Sequence, residues 1–545
     1  MANLNWLKQA RVSVPNRSGF DKSFRNLLTA KVGTLVPILC DEVVPGQRTN
    51  LRIALQAQLP PLASDTFMRC KIKCEAFFVP KRLMYGGFEA WLTGDDLYDS
   101  SSGSYVSVDF PVLLIEPGSA AAKKAQTDLL KPGTLADYLG YKFSSSEITT
   151  LQSDSTGAVG TYFNIEPFIG YHLIYDSWYR NTKIQNKVFS RPVDVPMANL
   201  SGLSYLPYKF FNSSYSFRLT DTFVDGVKLG ELRQRNFGSD YFTECTPQAQ
   251  QGSPQTVTID SNSQFSISAL RAANSIQQWL ERNNLAGFKL QDYLRANYGC
   301  SLSDGVAQRP LFLGTEDFDI YSKGVEQNSR DASQSSNNPF DTVGTRYGNA
   351  YATGDGVLVD DFVANEPGYI YVIASLVPHV TYASGILRQN LRYTSASSQS
   401  DLATPLLQNV GNQPTYAKEL VSVDAFLTSY RNLVFGYIDR YADFMTREDE
   451  LHGILRDGET LQSFALQRSV SGNVGINTNF LKIPVNFMDN VTAVSASLSD
   501  YGYWLDCYFD YKMSAPLAQY CQPSLQDPAY EHGEKVVVRR SGSRL

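Results

Sequence analysis

What most constrains this chain is a set of strictly alternating segments near its two ends. In Asn50–Leu59, Leu51, Ile53, Leu55, Ala57 and Leu59 share one face, with Arg52, Gln56 and Gln58 on the other. Cys70–Val79 repeats the pattern, setting Cys70, Ile72, Cys74, Ala76 and Phe78 against Lys71, Lys73 and Glu75. Hundreds of residues later, Tyr501, Tyr503, Leu505, Cys507, Phe509 and Tyr511 alternate with Asp506, Asp510 and Lys512. A period of two is the signature of a half-buried strand. A fourth segment, Tyr369–Val377, is apolar on both faces and reads as a fully buried strand. No internal repeat and no hinge divides these segments into self-contained units. The expected architecture is one β-sandwich fed by both ends of the chain, with large insertions carried in its loops.

The intervening sequence differs in kind. Gly103–Gly160 reads as loop-rich. Phe168, Tyr171, Tyr175 and Trp178 fall at helical spacing within Phe168–Asn181. Ser266–Asn283 predicts a helix with Leu270, Ala273, Ile276 and Leu280 on one stripe and Ser266 or Ser268 as cap, and Phe288–Tyr298 a second helix stopped by Gly299. Lys323–Gly356, rich in Ser, Asn, Asp and Gly, has no period and predicts an exposed loop. With 32 Tyr and 30 Phe among 545 residues, the composition suits a mainly β protein with long connections.

Several function classes find no support. The four histidines (His172, His379, His452, His532) are far apart, and nothing resembles a nucleophile elbow, a zincin helix or a phosphate-cradling loop. Asp95-Asp96, Asp360-Asp361 and Glu448-Asp449-Glu450 are sequence neighbours, unlike carboxylates facing each other across a cleft, and read as solvated turns or subunit contacts. Seven cysteines are dispersed, and Cys70 and Cys74 sit roughly 13 Å apart along one strand face, too far to share a zinc ion, so buried thiols are expected. No catalytic residue, metal or cofactor is expected. The N-terminus lacks an apolar export core and no segment is long enough to span a bilayer, so folding in a cytoplasm without membrane insertion is the expectation.

Charge is unevenly placed. Residues 1–31 carry six basic residues against Asp21, residues 535–545 carry four and no acid, and the whole chain sums to −6, which leaves the body at −15. Basic ends on an acidic body suggest attraction to a polyanion. Lys535, Arg539, Arg540 and Arg544 form the densest cluster; Arg11, Arg17 and Arg25, near Trp6, Phe20 and Phe24, form the second. Such residues neutralise phosphates without reading sequence, while nearby rings stack unpaired bases. The N-terminal arm could equally clamp a neighbouring subunit.

Local strings then become specific. Asn16–Ser23 (NRSGFDKS), Leu35–Gly46 (LVPILCDEVVPG), Phe77–Leu83 (FFVPKRL), Leu135–Gly140 (LADYLG) and Pro167–Gln185 (PFIGYHLIYDSWYRNTKIQ) resemble successive elements of the major capsid proteins of microviruses, particularly the gokushovirus-like branch. Leu232–Thr243 (LRQRNFGSDYFT), Leu270–Gly299, Gln308–Gly314 (QRPLFLG), Phe435–Tyr441 (FGYIDRY) and Tyr508–Pro516 (YFDYKMSAP) continue the series in family order. There are departures. Gly170 and Asp176 stand where Ala and Asn are commoner, and Thr246–Gly252 departs from the family's turn, with Ser266 following without the long insertion that forms a surface protrusion.

The resemblance implies an eight-stranded antiparallel jelly-roll β-sandwich with loop insertions containing several short helices. It further implies pentamers and a T=1 icosahedral shell enclosing circular single-stranded DNA. A viral scaffolding protein, a minor capsid or pilot protein and a host surface receptor would be the other partners. The protein would reside in the virion, after assembly in the bacterial cytoplasm. On this reading residues 1–545 form one capsid domain, with a basic arm over 1–31, a loop-rich insertion over 95–165, a helix-containing insertion over 166–315, an exposed loop over 320–365 and a basic tail over 525–545. Two rivals are weighed: a carbohydrate-active or carbohydrate-binding β-sandwich, suited by tyrosines and loop acids, and an outer-membrane barrel, which requires an export signal and evenly spaced strands.

Overall fold

The computed structural model describes residues 17–85, 88, 92, 98–99, 104–105, 111–115, 120–153, 161–189, 216–252, 267–326, 346–392, 411–427, 433–470, 474–493 and 502–517. It is mainly β. Five strands come early: β1 (Ser18–Asp21), β2 (Phe24–Ala30), β3 (Val36–Val43), β4 (Arg48–Gln58) and β5 (Cys70–Pro80). A long excursion then carries the short strands β6 (Tyr98–Asp99), β7 (Ser104–Tyr105), β8 (Val112–Ile115), β9 (Thr161–Asn164) and β10 (Ser216–Phe217), with several helices. The chain returns as β11 (Leu311–Asp319), β12 (Tyr321–Glu326), β13 (Arg346–Val363) and β14 (Gly368–Pro378). A second excursion holds the hairpin of β15 (Asn412–Tyr416) and β16 (Val434–Asp439), and β17 (Tyr503–Ala515) closes the fold.

Two antiparallel sheets make the body. The six-stranded one runs β1–β17–β4–β13–β12, with β2 pairing β17 beyond β1. The four-stranded one runs β11–β5–β14–β3. The last strand thus lies between the earliest ones and β4, with Leu505 opposite both Leu28 and Ala57. Alternation in β4 is complete, every second residue from Thr49 to Ala57 being buried. Those side chains meet the inner faces of β5, β14 and β17, so that Leu51, Ile53, Ile72, Cys74, Phe78, Ile370, Val372, Leu505, Cys507 and Phe509 share one core. Each large apolar side chain fully removed from water contributes roughly 1.5–3 kcal/mol.

β14 is buried along almost its whole length because it is covered on both faces. Its second face presents Tyr369, Tyr371 and Ile373, which join Phe77 and Val79 of β5 under Phe168, Ile169, Tyr171 and Leu173 of the helix Glu166–Ile174. That helix continues into a π-helical turn, Tyr175–Tyr179, so the expected aromatic spacing over Phe168–Trp178 corresponds to a helix wholly packed on the sheet.

Two expectations need correction. The segment read as an exposed loop over 320–365 contributes β12 and β13, the outer strands of the larger sheet; residues 327–345 lie outside the described residues. The period was hidden because the positions of β13 facing inward are Gly348, Ala350, Ala352, Gly354 and Gly356. A Cβ on Gly354 would stand 2.8 Å from the Phe318 ring of β11, so the small residues are what lets β11 and β13 pack closely. The stripe predicted on the helix over Ser266–Asn283 is also not a core face. The helix spans Ile267–Ala286, starting before Ser268, and is held to the body by polar contacts such as Asn284 Nδ2 to the Gln248 carbonyl at 2.7 Å. Leu270 and Ile276, with Trp279 beside them, are exposed in the single chain. The following helix, Leu290–Tyr298, ends as expected at Gly299, whose φ of 69° is left-handed. Helices over Ala120–Asp128, Leu135–Tyr138 and Ser145–Ser153 occupy part of the segment read as loop-rich.

Candidate assembly and nucleic-acid surfaces

Titratable groups in the interior are used to clamp the first excursion onto the smaller sheet. Glu75 leaves the outer face of β5 and accepts from Arg235 Nη1 at 2.7 Å and from the Tyr179 hydroxyl at 2.5 Å, while Arg235 also donates to Ser375 Oγ at 2.8 Å. Two residues away, Arg233 Nε donates to His172 Nδ1 at 2.9 Å and its guanidinium pairs with Asp225. His172 Nε2 lies 2.9 Å from the Leu229 carbonyl, which fixes the neutral tautomer with the proton on Nε2. Burial, reinforced by the Arg233 charge, holds this imidazole well below the usual histidine range. Glu166 is buried at the foot of the helix, accepting from Tyr369 Oη at 2.9 Å and pairing with Lys81 Nζ at 3.1 Å. The string LRQRNF reads as a basic stretch, but its alternation sends Arg233 and Arg235 inward. Only the sheet above them explains why.

Two adjoining clefts open where the second excursion meets residues 238–244 of the first and the ends of β5, β12 and β14, of about 480 and 940 Å³. They share Tyr241, Thr446, Arg447, Glu448 and Asp449. Glu448 accepts from the Tyr241 backbone N–H at 2.9 Å, and burial raises its carboxyl above the ordinary range. Asp449 pairs with His379 at 3.3 Å and Glu450 with His452 at 3.0 Å. This acidic triplet therefore makes local polar contacts at a cleft rim, and no group of three or more potential metal ligands exists among the described residues. Asp361 pairs with Arg48 at 2.6 Å; Asp95 and Asp96 lie outside the described residues. Cys70 and Cys74 are buried in the core, and burial pushes the Cys70 thiol up to about 12.

Of the basic residues singled out in the sequence, Arg11, Lys535, Arg539, Arg540 and Arg544 lie outside the described residues. Arg17 is exposed and donates to the Gly46 carbonyl. Arg25 is exposed on β2, with Nε donating to Asp506 Oδ1 of β17 at 2.7 Å, and this contact lowers the Asp506 carboxyl. The described end of the basic arm meets β17. Ser18 is in register with Ala515, so the chain enters and leaves the same sheet at one corner. Missed altogether in the sequence was the outer face of that sheet, where Leu27, Trp504, Tyr508, Tyr321 and Tyr351 are exposed.

A two-sheet β scaffold, buried charges devoted to clamping insertions, and broad uncovered apolar faces define a structural protein built to be covered by neighbours. Comparison with known proteins makes this specific: the chain belongs to the phage family described as Capsid protein (F protein), whose model matches residues 9–266 and 253–525. It is 23% identical over 623 residues to Capsid protein VP1 of Chlamydia phage 1, covering 96% of this chain and 98% of that one. Against Capsid protein VP1 of Bdellovibrio phage phiMH2K the identity is 24% over 556 residues, covering 93% and 95% of the two chains. A shorter match, 24% over 268 residues, covers 48% of this chain and 46% of Capsid protein VP1 of Spiroplasma virus 4. The chain is accordingly a microvirus major capsid protein, an oligomerising structural component of the virion. Nothing in these comparisons favours the carbohydrate-binding alternative. No helix among the described residues is long and apolar enough to cross a membrane.

Proposed function

We propose that the two sheets form an eight-stranded jelly roll that builds pentamers and, from them, a T=1 icosahedral shell around circular single-stranded DNA. The observation that carries this reading is the strand order. If β1 and β2 count as one broken strand and β12 with β13 as one arm, the eight strands follow the chain order β2, β3, β4, β5, β11, β13, β14, β17. The larger sheet then reads first–eighth–third–sixth and the smaller second–seventh–fourth–fifth. That interleaving is what results when a long antiparallel ribbon folds over itself to give two Greek keys. One capsid domain spans the chain, with the excursions after β5 and β14 as insertions, the arm over 1–31 and the tail over 525–545.

The basic arm and tail hold the DNA, with Arg11, Arg17, Arg25, Lys535, Arg539, Arg540 and Arg544 neutralising phosphates; Arg25 does so by exchanging Asp506 for a phosphate. Fivefold contacts are heterologous but closed, so two different patches on each copy must match. The exposed side of the helix Ile267–Ala286 is one such patch. Assembly takes place in the bacterial cytoplasm, guided by a scaffolding protein; a pilot protein and a host receptor are the remaining partners, and no catalytic step is involved. The test is to produce the chain in a bacterial host together with its phage genome and image the lysate by negative-stain electron microscopy. Uniform closed shells holding nuclease-resistant circular DNA are expected. Inert monomers under the same conditions would end the proposal.

A further inference from the structure

The two sheets are treated differently on their outer sides. The smaller sheet is roofed by the first excursion, through Phe77, Tyr371 and the helix Glu166–Ile174. The larger sheet has no such roof among the described residues, and the side chains turned away from the core meet solvent. On β17 these are Trp504, 41% exposed, and Tyr508, 50% exposed; on β13 and β12 they are Tyr351 and Tyr321. An uncovered face of this aromatic content marks a surface that is filled in the working state of the protein.

Register fixes the layout. Trp504 and Tyr351 both lie opposite Gln58 of β4, so two strand spacings, roughly 10 Å, separate them. Tyr321 is opposite Tyr351, with ring centroids 6.4 Å apart and planes tilted by 45°. Tyr508 is four residues beyond Trp504, roughly 13 Å along the strand, and in register with Arg25. The four rings thus form three separated stations on one sheet face, Trp504, Tyr508 and the Tyr321–Tyr351 pair, unlike the interlocked rings of a core.

The charges of this face are paired. Arg25 binds Asp506, Lys512 binds Asp510 at 3.1 Å, and Arg48 binds Asp361 at 2.6 Å. With Arg52 and Lys323 balanced by Asp355 and Asp360, the face is neutral on a body of net charge −15. It therefore offers rings without strong repulsion of phosphate. The attraction comes from its corner, where Ser18 and Ala515 are neighbours. Lys8 and Arg11 precede that point with no acid among them, and the Lys535–Arg544 cluster follows it in the sequence. A polyanion bound at that corner lies at the edge of the aromatic face.

We infer that the outer face of the larger sheet is the inner wall of the shell and a stacking platform for unpaired bases, with Trp504, Tyr508, Tyr351 and Tyr321 as its contacts. This rests on the proposal that the shell encloses single-stranded DNA. A duplex would hide its bases from the rings, whereas an unpaired strand stacks on such rings irrespective of sequence while cationic groups follow its backbone. A protein neighbour covering the same rings is the competing outcome.

The test is ultraviolet cross-linking of DNA-filled particles, followed by digestion and mass spectrometry of the nucleotide-bearing peptides. Adducts are expected on the peptides containing Trp504, Tyr508, Tyr351 and Tyr321. DNA-filled particles whose adducts avoid all four rings would overturn this inference alone. Particles without nuclease-resistant DNA would overturn the container reading and this inference with it. As a second measurement, Trp504→Ala lowers the affinity of protein released from particles for oligothymidylate about tenfold, equivalent to about 1.4 kcal/mol, while Trp504→Phe keeps a stackable ring and binds within about threefold of the parent. Equal affinity of the alanine variant and the parent counts against the platform.

Discussion

The clamp between Glu75 and Arg235 gives a sharp test of how the first excursion is held on the sheet. Arg235→Met removes the guanidinium and leaves the Glu75 carboxylate, 12% exposed at its side chain, with the Tyr179 hydroxyl and the distant Lys73 ammonium at 3.9 Å. Breaking a buried pair by removing one partner costs about 3–5 kcal/mol, because the remaining charge has been stripped of water without compensation. Replacing both partners removes that penalty. In Glu75→Gln/Arg235→Met the neutral amide still accepts from Tyr179, and most of the loss should return. The assay is urea unfolding of dissociated capsid protein at pH 7, followed by tyrosine and tryptophan fluorescence, for the four members of the cycle. The single arginine variant is expected to lose about 3–5 kcal/mol and the double variant at most about 2. An arginine variant within 1 kcal/mol of the parent would refute the reasoning, and so would a double variant no better than the single one.

Two further outcomes follow from other contacts. Gly170→Ala, a change that stabilises an exposed helix by about 0.5–1 kcal/mol, should here cost about 1–3 kcal/mol, since the new Cβ would overlap the Tyr371 hydroxyl; Tyr371→Phe in the same chain should recover much of the loss, measured by denaturant unfolding. His172 stays neutral in the folded chain but takes a proton when unfolded below about pH 6.5, so the unfolded state binds more protons there and stability falls as pH falls. The contribution should reach about 1.4 kcal/mol per pH unit, and the difference in slope between parent and His172→Gln between pH 7.5 and 5.0 reads it; parallel curves would reject the assignment.

The strands that alternate apolar with polar residues were legible because their two faces meet different media. β4 and β17 each bury one set and expose or half-expose the other, β5 does so only over Cys70–Lys73 before both of its faces are covered, and β14 announced its double burial by carrying no polar face. β13 was illegible for the opposite reason: its inward positions are glycine and alanine, whose small size serves packing but leaves no apolar period. The helix Ile267–Ala286 was legible as a helix but not in its partner, since Leu270 and Ile276 of its stripe are exposed among the described residues. The basic arms were visible as charge. That Ser18 and Ala515 are neighbours follows only from the pairing of β1 with β17.

Gly170 and Asp176 illustrate how a family departure becomes physical. Against the commoner Ala and Asn they look like isolated substitutions. In the fold, Tyr371 fills the space above Gly170 and donates to the Pro167 carbonyl at 3.0 Å. Asp176 accepts from Arg180 Nε at 2.7 Å and from the Val188 N–H at 3.1 Å, tying the π-helical turn to the segment after it. A glycine and a long tyrosine are one fitted unit, and neither is informative without the other.

The position of β17 has a consequence for how the protein is made. A ribosome releases the early strands first, yet the place between β2 and β4 stays vacant until Tyr503–Ala515 has been translated. Until then β4 offers an open hydrogen-bonding edge, a template for any passing strand. Nascent chains are thereby kept from maturing early, and a product cut short before Tyr503 has no stable larger sheet to contribute. Such fragments would be cleared by proteases instead of entering the lattice as faulty tiles, so completeness of each building block is checked by the fold itself.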